Sequence, residues 1–348
     1  MKILITGGAG MVGSCAAEYW AARGHQVTVL DNLMRSQLFK SHRESVEYTW
    51  RALSGRPGIR LVKGDVRNAA DIRDALGDGV DVVLHAAGQP GVGYSIERPE
   101  EDFSINALGT LQVLELTRQR SPKAVVLYCS TNKVYGTNVD ALPLAEQERR
   151  YAFGDGFAGI AEAFSVDRAG HTPYGVSKLT GELYVQDYAH TFGMRTGVFR
   201  MSCIYGTRQF GFEDQGWVAH FTIATLFGRP LTIYGDGKQV RDVLYVEDLV
   251  EAYDRFIASD IQHGVFNIGG GPGQTASLLE LLDLLEQLTG KRSPVTFTGW
   301  RPSDQKVYIS DLTHIGRVLR WQPRTPFRDG LARLIEWVRA NPGLFGAA

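Results

Sequence analysis

The stretch Lys2-Ile-Leu-Ile-Thr-Gly-Gly-Ala-Gly-Met-Val-Gly13 decides the fold, because a short apolar run passes directly into glycines spaced as GxxGxxG. A helical pattern over 11–23 begins at once, so the stretch predicts a strand, a tight turn and a helix. Glycines let backbone N–H groups approach a pyrophosphate, which then lies at the positive end of the helix. The predicted dinucleotide-binding site of this turn comprises Gly7, Gly10, Met11, Val12 and Gly13.

Short β-branched runs alternate with longer amphipathic stretches through the first half of the chain. Predicted strands are 2–5, 26–30, 59–63, 80–85, 124–130 and 195–201, and predicted helices are 11–23, 69–77, 103–120 and 174–192. Strands that alternate with helices predict right-handed crossovers and a parallel sheet. We therefore expect an α/β fold with a Rossmann-type, doubly wound sheet.

Composition narrows the range of partners. The chain has 348 residues, of which 44% are hydrophobic and 22% charged, and its net charge is −1. With so small a net charge, no long-range electrostatic attraction to nucleic acid or to an anionic membrane is expected. Its three cysteines lack metal-site spacing, and the first apolar run is too short for a signal peptide, so we expect no metal and a cytoplasmic location.

Acidic residues after the second and third predicted strands indicate where the adenosine half would bind. Asp31 follows Gly13 by eighteen residues, where a carboxylate accepts hydrogen bonds from both ribose hydroxyls and repels a 2′-phosphate. This favours NAD, although nearby Arg35 leaves NADP open. The remaining predicted cofactor contacts are Asn32, Asp65, Val66, Ala86, Ala87, Gln89 and Asn106.

The domain prediction follows from the same pattern. We assign 1–200 to an NAD-binding Rossmann domain, with 240–268 returning to it. We assign 201–239 and 269–344 to a smaller C-terminal substrate-binding lobe. Two stretches, 32–57 and 140–171, are predicted to be long loops.

Tyr174 and Lys178 form a YxxxK pattern on the predicted helix 174–192. A tyrosine has a pKa near ~10, so it acts as a base near neutrality only if something stabilises its phenolate. Lys178 lies one turn further on the same helix face and supplies a positive charge. Together with a dinucleotide site, the pair predicts proton transfer coupled to hydride transfer at an alcohol, with NAD contacting both residues.

These motifs resemble the extended short-chain dehydrogenase/reductase family, the nucleotide-sugar epimerases and dehydratases. The resemblance rests on GxxGxxG, Asp31, Asp65, the segment Ser130-Thr-Asn-Lys-Val-Tyr-Gly136, YxxxK and the segment Gly237-Lys-Gln-Val-Arg-Asp242. It implies a catalytic triad of Thr131, Tyr174 and Lys178. The family's dehydratases carry an Asp-Glu pair directly after the hydroxyl residue, where this chain has Asn132 and Lys133, so the resemblance implies an epimerase.

Segments of the second half resemble a subgroup that inverts C2 of a CDP-linked 3,6-dideoxyhexose, through transient oxidation by bound NAD. Relatives that act at C4 carry an Asn where this chain has Cys203. Epimerisation of a UDP-sugar or UDP-uronic acid at C4 stays open as an alternative. A catalytically silent NAD-binding regulator is a further alternative, which has no need of the complete triad.

Arginines in the second half predict the diphosphate contacts, because an arginine fork suits a diphosphate. The resemblance assigns Arg241 and Arg301 to the pyrophosphate, with Arg208 as a weaker candidate. The full predicted substrate-binding set is Thr131, Asn132, Arg208, Gln209, Gln215, Trp217, Val218, Arg241, Arg301 and Asp304. The resemblance also implies a homodimer that pairs helices 103–120 and 174–192.

Overall fold

A computed structural model describes residues 1–35, 43–154, 156–301 and 304–346. The chain divides into two compact units. The first consists of Met1–Val134, Thr172–Arg200 and Val250–Phe266, and the second of Tyr135–His171, Met201–Leu249 and Asn267–Ala348. Each unit is built from separated segments, and the assignment of cofactor and substrate to particular ranges stays a prediction.

Fifteen strands are present in the described residues. They are β1 (Lys2–Thr6), β2 (Gln26–Asp31), β3 (Ile59–Lys63), β4 (Val82–His85), β5 (Val125–Thr131), β6 (Leu144–Glu146), β7 (Tyr151–Phe153), β8 (Arg195–Met201), β9 (Cys203–Tyr205), β10 (Leu231–Tyr234), β11 (Val240–Tyr245), β12 (His263–Ile268), β13 (Thr275–Ser277), β14 (Val295–Thr298) and β15 (Val307–Tyr308).

Twelve α-helices are present in the described residues. They are α1 (Met11–Ala21), α2 (Arg43–Leu53), α3 (Ala69–Leu76), α4 (Val92–Glu97), α5 (Pro99–Phe103), α6 (Gly109–Arg120), α7 (Pro173–Phe192), α8 (Trp217–Phe227), α9 (Val246–Ala258), α10 (Leu278–Thr289), α11 (Thr313–Leu319) and α12 (Phe327–Ala340). A π-helical segment covers Ser104–Leu108, and 3₁₀ segments cover Asn132–Ala141 and Pro342–Phe345.

The central sheet of the described chain is seven-stranded and parallel, in the order β12-β8-β5-β4-β1-β2-β3. Register is set by β1, where Leu4 pairs with Thr28 on one side and with Val83 on the other. The strands β4 and β5 are buried along their whole length, as expected of strands covered on both faces. The prediction of a Rossmann-type α/β fold is confirmed.

Helix α7, which carries the YxxxK pattern, has well-defined ends. The Thr172 side chain accepts a hydrogen bond from the Gly175 backbone N–H, and Pro173 occupies the first turn. Gly193 ends the helix with φ +66°, a left-handed conformation that glycine adopts without strain. Tyr174 therefore lies in the first turn, at a fixed position relative to the helix start.

The single helix predicted over 103–120 is wrong in one detail. A π-helical segment, Ser104–Leu108, separates α5 from α6, and the Gly109 N–H bonds the Ser104 carbonyl five residues back. The Thr110 hydroxyl also donates to the Asn106 carbonyl at 2.6 Å, which draws that carbonyl into a side-chain contact. Such π-bulges are frequent at functional sites, and this one contains Asn106.

The second unit contains its own sheets and core. In the described residues, β11 pairs with β9, β13 and β15, and β10 pairs with β14. Helices α8, α10 and α12 supply apolar side chains to one buried cluster, which includes Val218, Phe221, Leu281 and Leu331. This unit presents the loops that carry most of the predicted substrate residues.

The two predicted long loops both contain regular structure. Helix α2 lies within 32–57, whereas 36–42 lie outside the described residues. Strands β6 and β7 form an antiparallel hairpin within 140–171. None of the described helices combines the length and the apolar character that crossing a membrane requires.

Candidate active site

The glycine-rich turn after β1 is packed too closely for side chains. A Cβ on Gly7 would lie 2.6 Å from the Ala87 backbone, and one on Gly13 would lie 2.5 Å from the Gly7 carbonyl oxygen. Gly7 also has φ +69°. The sequence therefore requires glycine at both positions if the turn between β1 and α1 is to form.

The N-terminus of α1 is free to bind an anion. Gly10 is the N-cap and provides no side-chain hydrogen bond, and the first turn, which begins with Met11 and Val12, contains no acidic residue. The positive end of the helix dipole and its backbone N–H groups thus meet no competing carboxylate from this turn. These features fit a pyrophosphate.

Asp31 ends β2 beside the glycine-rich turn. Its carboxylate accepts hydrogen bonds from the backbone N–H of Ala9 at 2.9 Å and of Leu33 at 2.8 Å. Burial raises the pKa of Asp31, and these two N–H donors oppose that effect. Burial also lowers the pKa of Arg35 to about 10, with the charge of Asp31 acting in the opposite direction.

Asp65 is held by polar neighbours. Asn32 donates to it at 2.9 Å, and Arg67 forms a salt bridge with it at 2.7 Å. Burial alone would raise the pKa of Asp65, but the hydrogen bonds from Arg67 and Asn32 prevail and bring it to about 2. Val66, which follows it, is buried in the core of the first unit.

The chain after β4 runs close to the glycine-rich turn. The Ala86 N–H bonds the Thr6 carbonyl at 3.1 Å, and the Ala87 N–H bonds the Thr6 hydroxyl at 3.3 Å. The same hydroxyl contacts His85 Nδ1 at 2.7 Å. The predicted cofactor residues Ala86 and Ala87 therefore lie against the glycine-rich turn.

Thr131, Tyr174 and Lys178 are brought together in the first unit. Thr131 ends β5, and its side chain hydrogen-bonds to Tyr174. Burial raises the pKa of Tyr174 to about 12, against the lowering effect of that hydrogen bond. Asn132 is buried next to Thr131, whose hydroxyl donates to its side-chain oxygen at 3.3 Å.

Lys178 is only 5% exposed. Its ammonium lies 4.2 Å from the centroid of the Tyr128 ring, a favourable cation–π geometry. Burial lowers the pKa of Lys178 to about 8, whereas Cys129, Asp102 and Glu182 act to raise it. The ammonium is thus retained near neutrality in a largely dehydrated position.

Gln89 and Asn106, two of the predicted cofactor residues, form a buried amide network. The Gln89 N–H bonds Asn106 Oδ1 at 2.8 Å, and Asn106 Nδ2 bonds the Gln89 carbonyl at 3.0 Å. Both side-chain amides also donate to Asp102 Oδ1, at 2.9 and 3.0 Å. Asn106 Nδ2 further contacts the Ser177 hydroxyl at 3.2 Å, which joins the network to helix α7.

In the second unit, Arg241 and Asp304 form a salt bridge of 2.7 Å between β11 and the segment before β15. Arg241 is 9% exposed, so its guanidinium is held in place. Gln209 is also buried and donates to the Ile204 carbonyl at 3.0 Å, and its Oε1 has no hydrogen-bond partner among the described residues.

Arg301 forms salt bridges with two acidic residues, Glu213 and Asp214. Its guanidinium lies 3.4 Å from Glu213 and 3.2 Å from Asp214, and it stacks 3.8 Å from the centroid of the Tyr234 ring. The Asp304 N–H bonds the Arg301 carbonyl at 3.3 Å, so Arg301 and Asp304 are in direct contact.

The other predicted substrate residues lie in the loop that precedes helix α8 or at its start. The Trp217 indole N–H donates to Cys203 Sγ at 3.2 Å. Gln215 pairs with Phe212 through two backbone hydrogen bonds. Val218 is buried in the apolar core, which gives its side chain a packing role. Arg208 has φ +62° and is half-buried.

Two acidic residues beside Lys178 are absent from the sequence-based set. Glu182 lies one turn beyond Lys178 on α7, accepts from Ser130 at 2.7 Å and pairs with Arg200. Its spacing from Lys178 is a signal available in the sequence. Asp102 lies one turn before Asn106, but the π-bulge between α5 and α6 has no sequence signature that would reveal its environment.

The chain belongs to the NAD dependent epimerase/dehydratase family, whose profile matches residues 3–269. It is an NAD-dependent epimerase and thus an isomerase. The glycine-rich turn, the uncapped start of α1 and the position of Asp31 fit this cofactor.

One relative is CDP-paratose 2-epimerase of Salmonella typhi, which is 39% identical over 97% of this chain and 99% of its own length. The solved structure of UDP-glucose 4-epimerase with UDP-glucose from Thermotoga maritima has a TM-score of 0.80 at 27% identity, covering 98% of this chain and 100% of that chain. The UDP-glucose 4-epimerase of Thermus thermophilus in complex with NAD has a TM-score of 0.78 at 28% identity, with the same two coverages.

Proposed function

We propose that the enzyme inverts C2 of a CDP-linked 3,6-dideoxyhexose, converting a CDP-paratose type of sugar to the CDP-tyvelose type. The observation that carries this proposal is 39% identity, over nearly the full length of both chains, to a CDP-paratose 2-epimerase. The two UDP-glucose 4-epimerases of known structure are 27% and 28% identical. Asn132 and Lys133, in place of the carboxylates of dehydratases, further support an epimerase.

A contact in the second unit supports a substrate different from that of the C4-acting relatives. Cys203 stands where those relatives are expected to carry Asn, and it accepts a hydrogen bond from Trp217 at 3.2 Å. Trp217 belongs to the Asp214-Gln-Gly-Trp-Val218 segment, which resembles the C2-acting subgroup. Two departures from the C4 pattern are therefore linked by a direct contact.

For the chemical step, we assign Tyr174 Oη the proton of the substrate hydroxyl, which it accepts and later returns. Thr131 shares the same hydroxyl, and the charge of Lys178 favours the phenolate. When bound, oxidised NAD supplies the hydride acceptor and a positive nicotinamide charge. Because burial holds the pKa of Tyr174 at about 12, base action depends on these positive charges.

For substrate binding, we assign the diphosphate to Arg241 and Arg301, with Arg208 contributing. Arg241 is buried and positioned by Asp304, which limits the entropy that it loses on binding. Arg301 pairs with Glu213 and Asp214, so a diphosphate would compete with two carboxylates for this guanidinium. Gln209, Gln215 and Trp217 are assigned to the sugar or nucleotide.

The test is incubation of the purified protein with a CDP-3,6-dideoxyhexose, UDP-glucose and UDP-glucuronic acid, separately, in ordinary and deuterated water. NMR of the sugar carbons should reveal inversion at C2 of the CDP-sugar, without solvent deuterium at that carbon. Inversion only at C4 of a UDP-sugar would contradict the proposal and favour the alternative. No turnover of any sugar by NAD-loaded protein would favour a silent regulator.

Tyr174→Phe serves as the matched control for that assay. It removes the proposed proton carrier and keeps the ring, so turnover should fall by roughly 10²–10⁴-fold. Bound NAD, measured by absorbance after denaturation, should remain. Unaltered turnover in this variant would refute the assignment of Tyr174.

We further propose that the enzyme is a homodimer. Helices and turns of the first unit expose large apolar side chains, with Phe103 52%, Leu108 41%, Val176 49% and Leu183 54% exposed. Apolar patches of this kind are typical of protein interfaces. Light scattering should give twice the chain mass, and Leu183→Glu combined with Phe103→Glu should give monomers.

A further inference from the structure

Asp102 is a fully buried carboxylate without a complete set of partners. It lies on α5 with no exposed surface, and Oδ1 accepts the side-chain amides of Gln89 and Asn106. Among the described residues, its second oxygen, Oδ2, has no donor within hydrogen-bond distance, although the nearby Ser177 hydroxyl acts on the carboxylate and lowers its pKa. An anion that keeps an unsatisfied buried oxygen is costly unless a positive charge is near.

The positive charge near Asp102 is that of Lys178. Asn106 and Lys178 both lie against Gly88. A Cβ built on Gly88 would be 3.1 Å from Asn106 Oδ1 and 3.9 Å from Lys178 Nζ. Asn106 in turn bonds Asp102 through Nδ2. Burial raises the pKa of Asp102, and the charge of Lys178 acts against that rise. Asp102 in turn acts to raise the pKa of Lys178, against the effect of burial.

We propose that Asp102 is the buried counter-charge of Lys178 and so a positioning residue for the catalytic pair. This inference rests on the proposed roles of Tyr174 and Lys178. Asp102 touches neither substrate nor reacting atoms in this scheme. It acts by keeping the ammonium charged, and a charged ammonium is what makes Tyr174 a usable base.

The other groups that face Lys178 do not fill this role. They come from its own helix and from β4 and β5, and they are Tyr174, Glu182, His85, Tyr128 and Cys129. Burial lowers the pKa of His85 to about 3 and raises that of Cys129 to about 11, so both are neutral near pH 7. The charge of Glu182 is already matched by Arg200.

The test is Asp102→Asn, which retains one oxygen acceptor for the two amides, removes the charge and replaces the second oxygen by an NH₂ group. Lys178 is titrated by NMR in NAD-loaded protein labelled with [6-¹³C]lysine, its signal assigned by loss in Lys178→Met. We expect a Lys178 pKa of about 8 in the wild type and a decrease of roughly one unit in Asp102→Asn. The alkaline limb of the kcat profile should move down with it.

Asp254→Asn is the matched control, because Asp254 is also on the first unit but accepts from Trp20 and Tyr19. It should leave the Lys178 titration unchanged. An unchanged Lys178 pKa in folded Asp102→Asn would overturn the proposal. A merely structural role would lower the Tm without moving the titration.

A measurement on the wild-type protein tests the proposal even if Asp102→Asn does not fold. In protein labelled with [4-¹³C]aspartate, the Asp102 carboxyl should be ionised at pH 7, and a protonated Asp102 at that pH would overturn the proposal. Both titrations are made without substrate. If Tyr174→Phe retains turnover while Lys178 still responds to Asp102, the proposed role of Tyr174 fails and the electrostatic coupling stands.

Discussion

Glu182 and Arg200 form a buried ion pair directly behind the catalytic segment, with Arg200 Nη2 2.6 Å from Glu182 Oε1. The side chain of Glu182 is fully buried, and that of Arg200 is 7% exposed. Glu182 also accepts from the Ser130 hydroxyl at 2.7 Å. Glu182 thus ties α7, with Tyr174 and Lys178, to β8 through Arg200 and to the end of β5 through Ser130, which precedes Thr131.

Loss of one partner of this pair should be strongly destabilising. Glu182→Gln leaves Arg200 buried without a counter-charge, so the free energy of unfolding should fall by roughly 3–5 kcal/mol. The double change Glu182→Met with Arg200→Met should cost less, because it leaves no buried charge. Urea unfolding measures both. A double variant less stable than Glu182→Gln would mean that the pair contributes more than charge compensation.

The glycine-rich turn makes a steric prediction. Gly13→Ala places a Cβ 2.5 Å from the Gly7 carbonyl oxygen and 2.6 Å from Gly8 Cα, so the turn must open. We expect lower thermal stability and loss of most bound NAD from purified protein. Gly273→Ala is the control, since a Cβ there meets nothing within 4 Å. Equal NAD content in the two variants would show that the turn tolerates the change.

The charge of Asp31 should strengthen NAD binding, which a substitution of Asp31 tests. The Ala9 and Leu33 N–H groups bond different oxygens of Asp31, so Asp31→Asn keeps only one of these two acceptors and removes the negative charge. Charge-assisted hydrogen bonds are worth roughly 1.5–3 kcal/mol, so NAD affinity should fall by roughly 10–100-fold. Calorimetric titration of NAD into protein stripped of cofactor measures this change. Unaltered affinity would place the adenosine ribose away from Asp31.

The sequence predicted the Rossmann-type fold well because its signals are local. Glycine spacing, β-branched runs and the YxxxK helix depend on neighbours along the chain, and the strands 59–63 and 195–201 have the predicted bounds. The π-bulge around Asn106 is accompanied by a hydrogen bond from the Thr110 hydroxyl to the Asn106 carbonyl, and no periodic pattern in the sequence predicts it. The orphan oxygen of Asp102 and the Trp217 contact with Cys203 arise from tertiary packing, which a single sequence does not encode in any readable spacing.

The Trp217 contact with Cys203 gives a prediction on substrate binding. Trp217→Phe keeps an aromatic ring against Phe221 and removes the N–H donor. The free energy of unfolding should fall by roughly 1 kcal/mol, the worth of a neutral hydrogen bond. Because this bond positions Trp217 for the sugar or nucleotide, we expect KM for the CDP-sugar to rise several-fold with little change in kcat. Steady-state kinetics on the CDP-sugar, with Phe221→Leu as a packing control, tests this. A fall in kcat alone would contradict a role in binding.

His85 predicts how the stability of the protein depends on pH. Its ring lies between Thr6 at 2.7 Å and Thr110 at 2.9 Å, and burial lowers its pKa to about 3. In the unfolded chain a histidine titrates near ~6.5, so below that pH the unfolded state binds a proton that the folded state refuses. The contribution of the neutral His85 to the free energy of unfolding is therefore complete above about pH 6.5, and it is lost as the pH falls toward 3.

The effect of His85 is isolated by a variant that cannot titrate. His85→Gln should be less stable than the wild type at pH 7, because it loses hydrogen bonds in the core. Between pH 6.5 and 4.5 that deficit should shrink by roughly 2 kcal/mol, since the unfolded histidine is already half-protonated at pH 6.5 and somewhat less than two full units, at about 1.36 kcal/mol each, are gained. Urea unfolding at a series of pH values measures the difference. A deficit that stays constant with pH would show that His85 takes up its proton in the folded state.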